Sequence, residues 1–128
     1  MTIEQARAKV EAWRSNLLEN AAYEEREAGQ RYEGEVARSI RQNARRMRHR
    51  AKQIDGILAI LRKDIGVEKM TEELEARRKE LLDQRDRLPP KRSFGIRRRQ
   101  LDLAAQDCAD AIHLLWQVQV DQRAADQQ

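Results

Sequence analysis

The chain has 128 residues, 38% of them charged and 40% apolar, with a net charge of +4, five glycines, two prolines and one cysteine. That length suits one domain spanning 1–128 with a modest core, and the scarcity of helix breakers, with only 4% aromatics, favours long helices over sheets. The lone Cys108 excludes an internal disulfide and a cysteine-rich metal site, and the longest uncharged run, 111–120, falls short of the ~20 apolar residues of a membrane span. With few thiols and no signal-peptide pattern, the chain reads as a soluble cytoplasmic protein.

The net charge conceals a block pattern. Residues 1–35 carry five basic and eight acidic groups, whereas residues 36–63 carry nine basic and one acidic. Residues 64–90 are net −2, 91–99 are net +5 and 100–128 are net −4. The cations therefore sit in two blocks inside an otherwise acidic chain.

A first helix is expected over about 2–28, with Thr2 as its N-cap and a seam of Ile3, Ala6, Val10, Trp13, Leu17 and Ala21. Trp13, at a seam position, is read as core rather than as a ligand platform. Gly29 and Gly34 then suggest a kink or a tight turn, since each costs a helix about 1 kcal/mol relative to alanine. Against a break, Ala28, Tyr32 and Val36 keep a four-residue spacing, so one continuous helix remains an alternative.

The second helix, about 35–65, has the longest apolar seam: Val36, Ile40, Ala44, Met47, Ala51, Ile54, Leu58, Leu61 and Ile65. Gaps of three and four residues place these side chains on one side. Arg38, Arg41, Arg45, Arg48 and Lys52 lie off that side, with Arg46 and Arg50 on the other flank. A seam this long suggests a dimer, because a compact monomer of this size would not readily bury it.

Gly66 is placed to cap that helix, and a third helix follows over about 68–88, with Val67, Met70, Leu74, Leu81 and Leu88 as its seam. Arg77 or Arg78 stands where another apolar residue is expected. Early glutamates and late arginines suit the helix dipole, and Pro89-Pro90 ends the segment. A basic connector, 89–95, leads to a fourth helix over about 96–122, with Ser93 a candidate cap. Its seam is Leu101, Ala105, Cys108, Ile112 and Leu115, flanked by Ala104, Ala111 and Trp116, and the last residues, 121–128, are expected to fray. The fold class is thus all-α, three or four long helices in an antiparallel, coiled-coil-like bundle.

No catalytic constellation can be assembled, so the chain reads as a non-enzymatic binding protein with no cofactor, metal or small-molecule substrate. His49 and His113 lie off the seams, and neither has a glutamate three positions earlier, as bundle metal sites do. Cys108, central in its seam, reads as a small buried hydrophobe rather than a reactive thiol. The turn around Gly66 resembles a helix-turn-helix corner, but Glu68, Glu72 and Glu73 would repel phosphates from the second helix. Membrane docking is disfavoured because residues 36–65 hold no aromatic side chain.

The functional signal is the cationic stripe of Arg38, Arg41, Arg45, Arg48 and Lys52, joined by a second cluster of Lys91, Arg92, Arg97, Arg98 and Arg99. The favoured expectation is contact with nucleic-acid phosphates, DNA or RNA, without sequence readout, alone or within a nucleoprotein complex. The alternative is an adaptor or inhibitor, of the kind found in phages and mobile elements, whose basic face docks on an acidic protein surface.

Overall fold

The computed structural model describes residues 1–127, which form four α-helices: α1 (Ile3–Gln30), α2 (Gly34–Leu61), α3 (Val67–Arg87) and α4 (Gly95–Asp126). A single 3-10 turn, Arg92–Phe94, precedes α4, and there is no strand among the described residues. The all-α bundle expected from the seams is what forms. Its helices pair as two antiparallel hairpins, α1 with α2 and α3 with α4.

The first reversal lies where the twin glycines pointed. α1 ends at Gln30, and Gly34 takes φ 63°, a left-handed conformation that glycine adopts without penalty. The turn is a full reversal, so the alternative of one continuous helix is excluded. Thr2 caps α1 in a reciprocal box, accepting from the Gln5 amide while the Gln5 side chain accepts from the Thr2 amide.

Polar contacts between the two helices fix the register of this hairpin. Asn43 donates to Glu24, Arg48 meets Glu25, Arg14 meets Asp55 and Arg62 meets Glu11. Arg7 places its guanidinium on the Leu61 carbonyl, at 2.9 Å from Nη2, and so puts a cation on the negative end of α2. The upper half of the hairpin is packed with small residues. Ala21 and Ala28 of α1 are buried, as are Ala37, Ala44 and Ala51 of α2, spaced seven residues apart. Methyl-sized side chains let two helices approach closely, but each adds only a small buried area.

The lower half holds the core. Ile54, Ile57, Leu58 and Leu61 of α2 meet Val10 of α1, Met70 and Leu74 of α3, and Leu101, Leu115 and Val118 of α4. One chain thus covers Ile54, Leu58 and Leu61 completely, so the reason for expecting a dimer from this seam no longer holds. Ile57, outside the expected seam, is equally buried because α2 faces three helices there and needs a wider apolar arc.

Several boundaries and burials differ from expectation. Val36, the expected start of the seam, is 53% exposed, because α4 begins too low to cover it. α2 ends at Leu61 rather than Ile65: the Lys63 amide bonds back to Ile60, tightening the last turn ahead of Gly66, whose φ of 83° opens α3. α4 starts at Gly95 with Phe94 at its cap, so Ser93 is not the cap. It runs on to Asp126, four residues past the expected end, through the helix formers Arg123, Ala124 and Ala125; Gln128 lies outside the described residues. Trp116 is 54% exposed, stacked on His113 with ring centroids 5.7 Å apart.

The tightest tie between the two hairpins is one partly buried ion pair, beside those of Met1 with Asp121 and Lys63 with Glu73. Arg50 of α2 grips Asp107 of α4 through two bonds, Nη2 to Oδ1 at 2.7 Å and Nε to Oδ2 at 3.0 Å. Asp107 is the one buried charged residue among the described residues, and the bond to its carboxylate raises the Arg50 pKa further above its ordinary value. A second tie comes from α3, where Arg77 donates to the Gln53 carbonyl and side chain across the bare face of Gly56.

Removing Arg50 alone would strand a buried carboxylate. Arg50→Met should therefore cost about 3 kcal/mol, the low end for broken buried pairs because Arg50 is partly solvated. The double change Arg50→Met with Asp107→Leu should recover most of that loss, as urea unfolding of the two variants would show.

Candidate nucleic-acid interface

α2 sets the geometry of the basic face. Its α1 side carries Ala37, Ala44 and Ala51, and its α4 side carries Met47, Arg50 and Ile54, so the remaining arc is open to solvent. Arg38, Arg41, Arg45, Arg48 and Lys52 all lie on that arc and all are exposed. Arg38, Arg45 and Lys52 are spaced by seven residues, which puts them about 10 Å apart along the axis, and the whole row covers about 21 Å.

These five cations are not equivalent. Arg48 is engaged by Glu25, with its Nε 2.6 Å from Oε1 and Nη2 3.2 Å from Oε2. That bond and its charge hold the Glu25 carboxyl below its ordinary pKa and raise that of Arg48. Arg38, Arg41, Arg45 and Lys52 make no ion pair or side-chain hydrogen bond among the described residues. Four free cations therefore remain on one face of α2.

The second basic block divides. Arg98 turns inward to donate to the Pro89 and Lys91 carbonyls, where it holds the connector closed. Lys91, Arg92, Arg97 and Arg99 stay exposed. The fold brings the two blocks together: Arg99 of α4 and Arg46 and His49 of α2 line one groove of about 310 Å³. Its apolar wall is Leu17, Met47, Ile96 and Leu103. His49, expected on the surface, is half-buried there, and its Nε2 is shielded without a hydrogen-bond partner among the described residues.

Sequence reasoning placed Arg46 on a flank and missed that α4 would rise against it. It also missed the Arg50–Asp107 pair, although an aspartate directly beside a seam cysteine in LAAQDCADAI was a legible hint of a buried charge. Several glutamates on the helix faces are engaged, Glu24 with Asn43, Glu25 with Arg48 and Glu73 with Lys63.

Among the described residues, no three His, Cys, Asp or Glu side chains converge as metal ligands, and no helix is long and apolar enough to cross a membrane. Compared with protein-family models, curated proteins and solved structures, the chain finds no match.

Cys108 is fully buried in α4, and burial pushes its thiol pKa up despite the nearby Arg77. A thiol with a raised pKa stays protonated at neutral pH and is a poor nucleophile. Iodoacetamide should leave the native protein unmodified at about pH 7.5 and alkylate Cys108 in full after unfolding in urea, as intact mass would report.

Proposed function

We propose that the protein is a non-enzymatic binding protein that holds nucleic acid by its phosphates, alone or as a small subunit of a nucleoprotein complex. One observation carries this reading: Arg38, Arg41, Arg45 and Lys52 stand free of any ion pair among the described residues, on a single exposed helix face. Uncompensated cations in a row on one helix repel one another, and a polyanion relieves that repulsion while releasing its counterions. Arg48, already bound to Glu25, contributes less. Lys91, Arg92, Arg97 and Arg99 extend the field from the connector and the start of α4. The face carries no aromatic side chain to stack on bases, so the contact is to the backbone and insensitive to sequence.

A second reading is supported by the groove, where Met47, Ile96 and Leu103 place an apolar wall beside Arg46 and Arg99. That mixture suits an acidic protein surface better than a phosphate backbone, as in an adaptor or inhibitor.

Charge reversal separates the two. Arg38→Glu, Arg41→Glu and Arg45→Glu together should weaken binding to duplexes of unrelated sequence alike. They should also flatten the salt dependence, by roughly 0.9 units of slope for every phosphate that the variant no longer neutralises. Arg48 is left intact so that no glutamate is placed beside Glu25, and unchanged circular dichroism is the control. Absence of nucleic-acid binding by the wild type at low salt would remove the proposal and leave the adaptor reading.

A further inference from the structure

Arg48 stands within the cationic row of α2, between Arg45 and Lys52. It lies about 20° around the helix from Arg41 and about 40° from Lys52, so it faces the same ligand. With Arg48 available, no step between neighbouring cations from Arg38 to Lys52 exceeds about 6 Å along the axis. Without it, Arg45 and Lys52 are about 10.5 Å apart, a wide gap against a duplex that presents a phosphate about every 3.4 Å on each strand.

Glu25 takes Arg48 out of that row. Its two oxygens meet Nε at 2.6 Å and Nη2 at 3.2 Å, the paired geometry with which a guanidinium also grips a phosphate. The contact holds the Glu25 carboxyl below its ordinary pKa, so the group is charged at neutral pH. Both side chains are open to water, Arg48 to 46% and Glu25 to 42%, so a phosphate can reach the same place. Arg38, Arg41, Arg45 and Lys52 carry no such carboxylate among the described residues.

The alignment of the hairpin does not hang on this pair. Arg14–Asp55 and Arg62–Glu11 tie α1 to α2 along the same edge, where Arg48, Asp55 and Arg62 recur every seven residues. An exposed ion pair also adds little to stability.

From this geometry we infer that Glu25 is an internal competitor for phosphate, occupying on Arg48 the position that a backbone phosphate would take. The inference rests on the reading of this face as phosphate-binding. In the wild type the row is three free cations, a gap and one more. Removing the charge of Glu25 joins them into an unbroken row of five.

Fluorescence anisotropy with a labelled duplex, titrated with the full chain at several salt concentrations, tests this. Glu25→Gln should steepen the salt slope by about 0.9, one phosphate more than the wild type, and tighten binding at least threefold at about 50 mM salt. Glu25→Gln with Arg48→Gln should bind as the wild type does, because the pair it replaces is neutral as a unit. Glu19→Gln makes the same change in net charge at an exposed α1 carboxylate without an ion pair, and should leave the slope unchanged. Unchanged circular dichroism is the control for folding. Wild-type binding with no steeper slope in Glu25→Gln overturns this inference and leaves the phosphate reading standing. Equal gains from Glu25→Gln and Glu19→Gln overturn it as well, since net charge then accounts for both. Absence of binding by both the wild type and Glu25→Gln overturns the inference and the phosphate reading together.

Discussion

The bidentate contact between Arg50 and Asp107 is the constraint on which the arrangement of the two hairpins turns. Apolar surfaces are permissive, and α2 could slide along α4 with little change in buried area. A buried carboxylate is not permissive, because only one position of α2 delivers a guanidinium fork to it. That position also sets how far α4 rises beside α2, and hence which residues border the groove. If Asp107 fixes the register, Arg99 stands beside Arg46 as a consequence. The gain of such a pair lies less in net stability than in selecting one alignment, a role best attested for polar groups in helical bundles.

A second feature is the division of labour between the two halves of α2. From Ile54 onward the helix is a core element with large side chains facing three neighbours. Before Ala51 it is one arm of a two-helix hairpin, held by alanines inside and, along the edge, by the Arg48–Glu25 pair and the Asn43–Glu24 hydrogen bond. All of the row's cations but Lys52 belong to this upper half. A helix facing one neighbour rather than three has a wide arc left for solvent, and that arc holds the free arginines.

Much of this was legible in the sequence, and the failures have physical causes. Helix number, the glycine reversal, the Thr2 cap and the exposure of the arginine row all follow from local rules of periodicity, capping and backbone freedom. The errors concern quantities that periodicity does not carry. Val36 continues the spacing of the seam but has nothing to pack against, because coverage depends on where a helix distant in sequence begins. Ile57 breaks the spacing yet is buried, because the number of neighbours sets the width of an apolar face. The groove and the Arg50–Asp107 pair depend on the docking of one hairpin on the other, for which the only local hint was an aspartate beside Cys108. The same limit applies to the expectation of a dimer: the chain itself covers Ile54, Leu58 and Leu61 of the seam it was drawn from, and leaves Val36 at the other end exposed.

The alanine packing of the upper hairpin has a consequence for how stability is distributed along the molecule. Ala21, Ala28, Ala37 and Ala44 each bury one methyl group, worth roughly 0.8 kcal/mol, whereas a buried leucine or isoleucine contributes about twice to four times that. Backbone ordering costs the same per residue in both halves. The tip therefore has the thinner margin, and is the segment expected to open first while the Ile54–Leu61 core stays closed. In hydrogen exchange the amides near Gly29 and Gly34 should belong to a fast class and those around Leu58 to the class governed by global unfolding. The cationic row crosses the boundary between them, so its upper members ride on a segment that can yield in shape, while Lys52 is anchored to one that cannot.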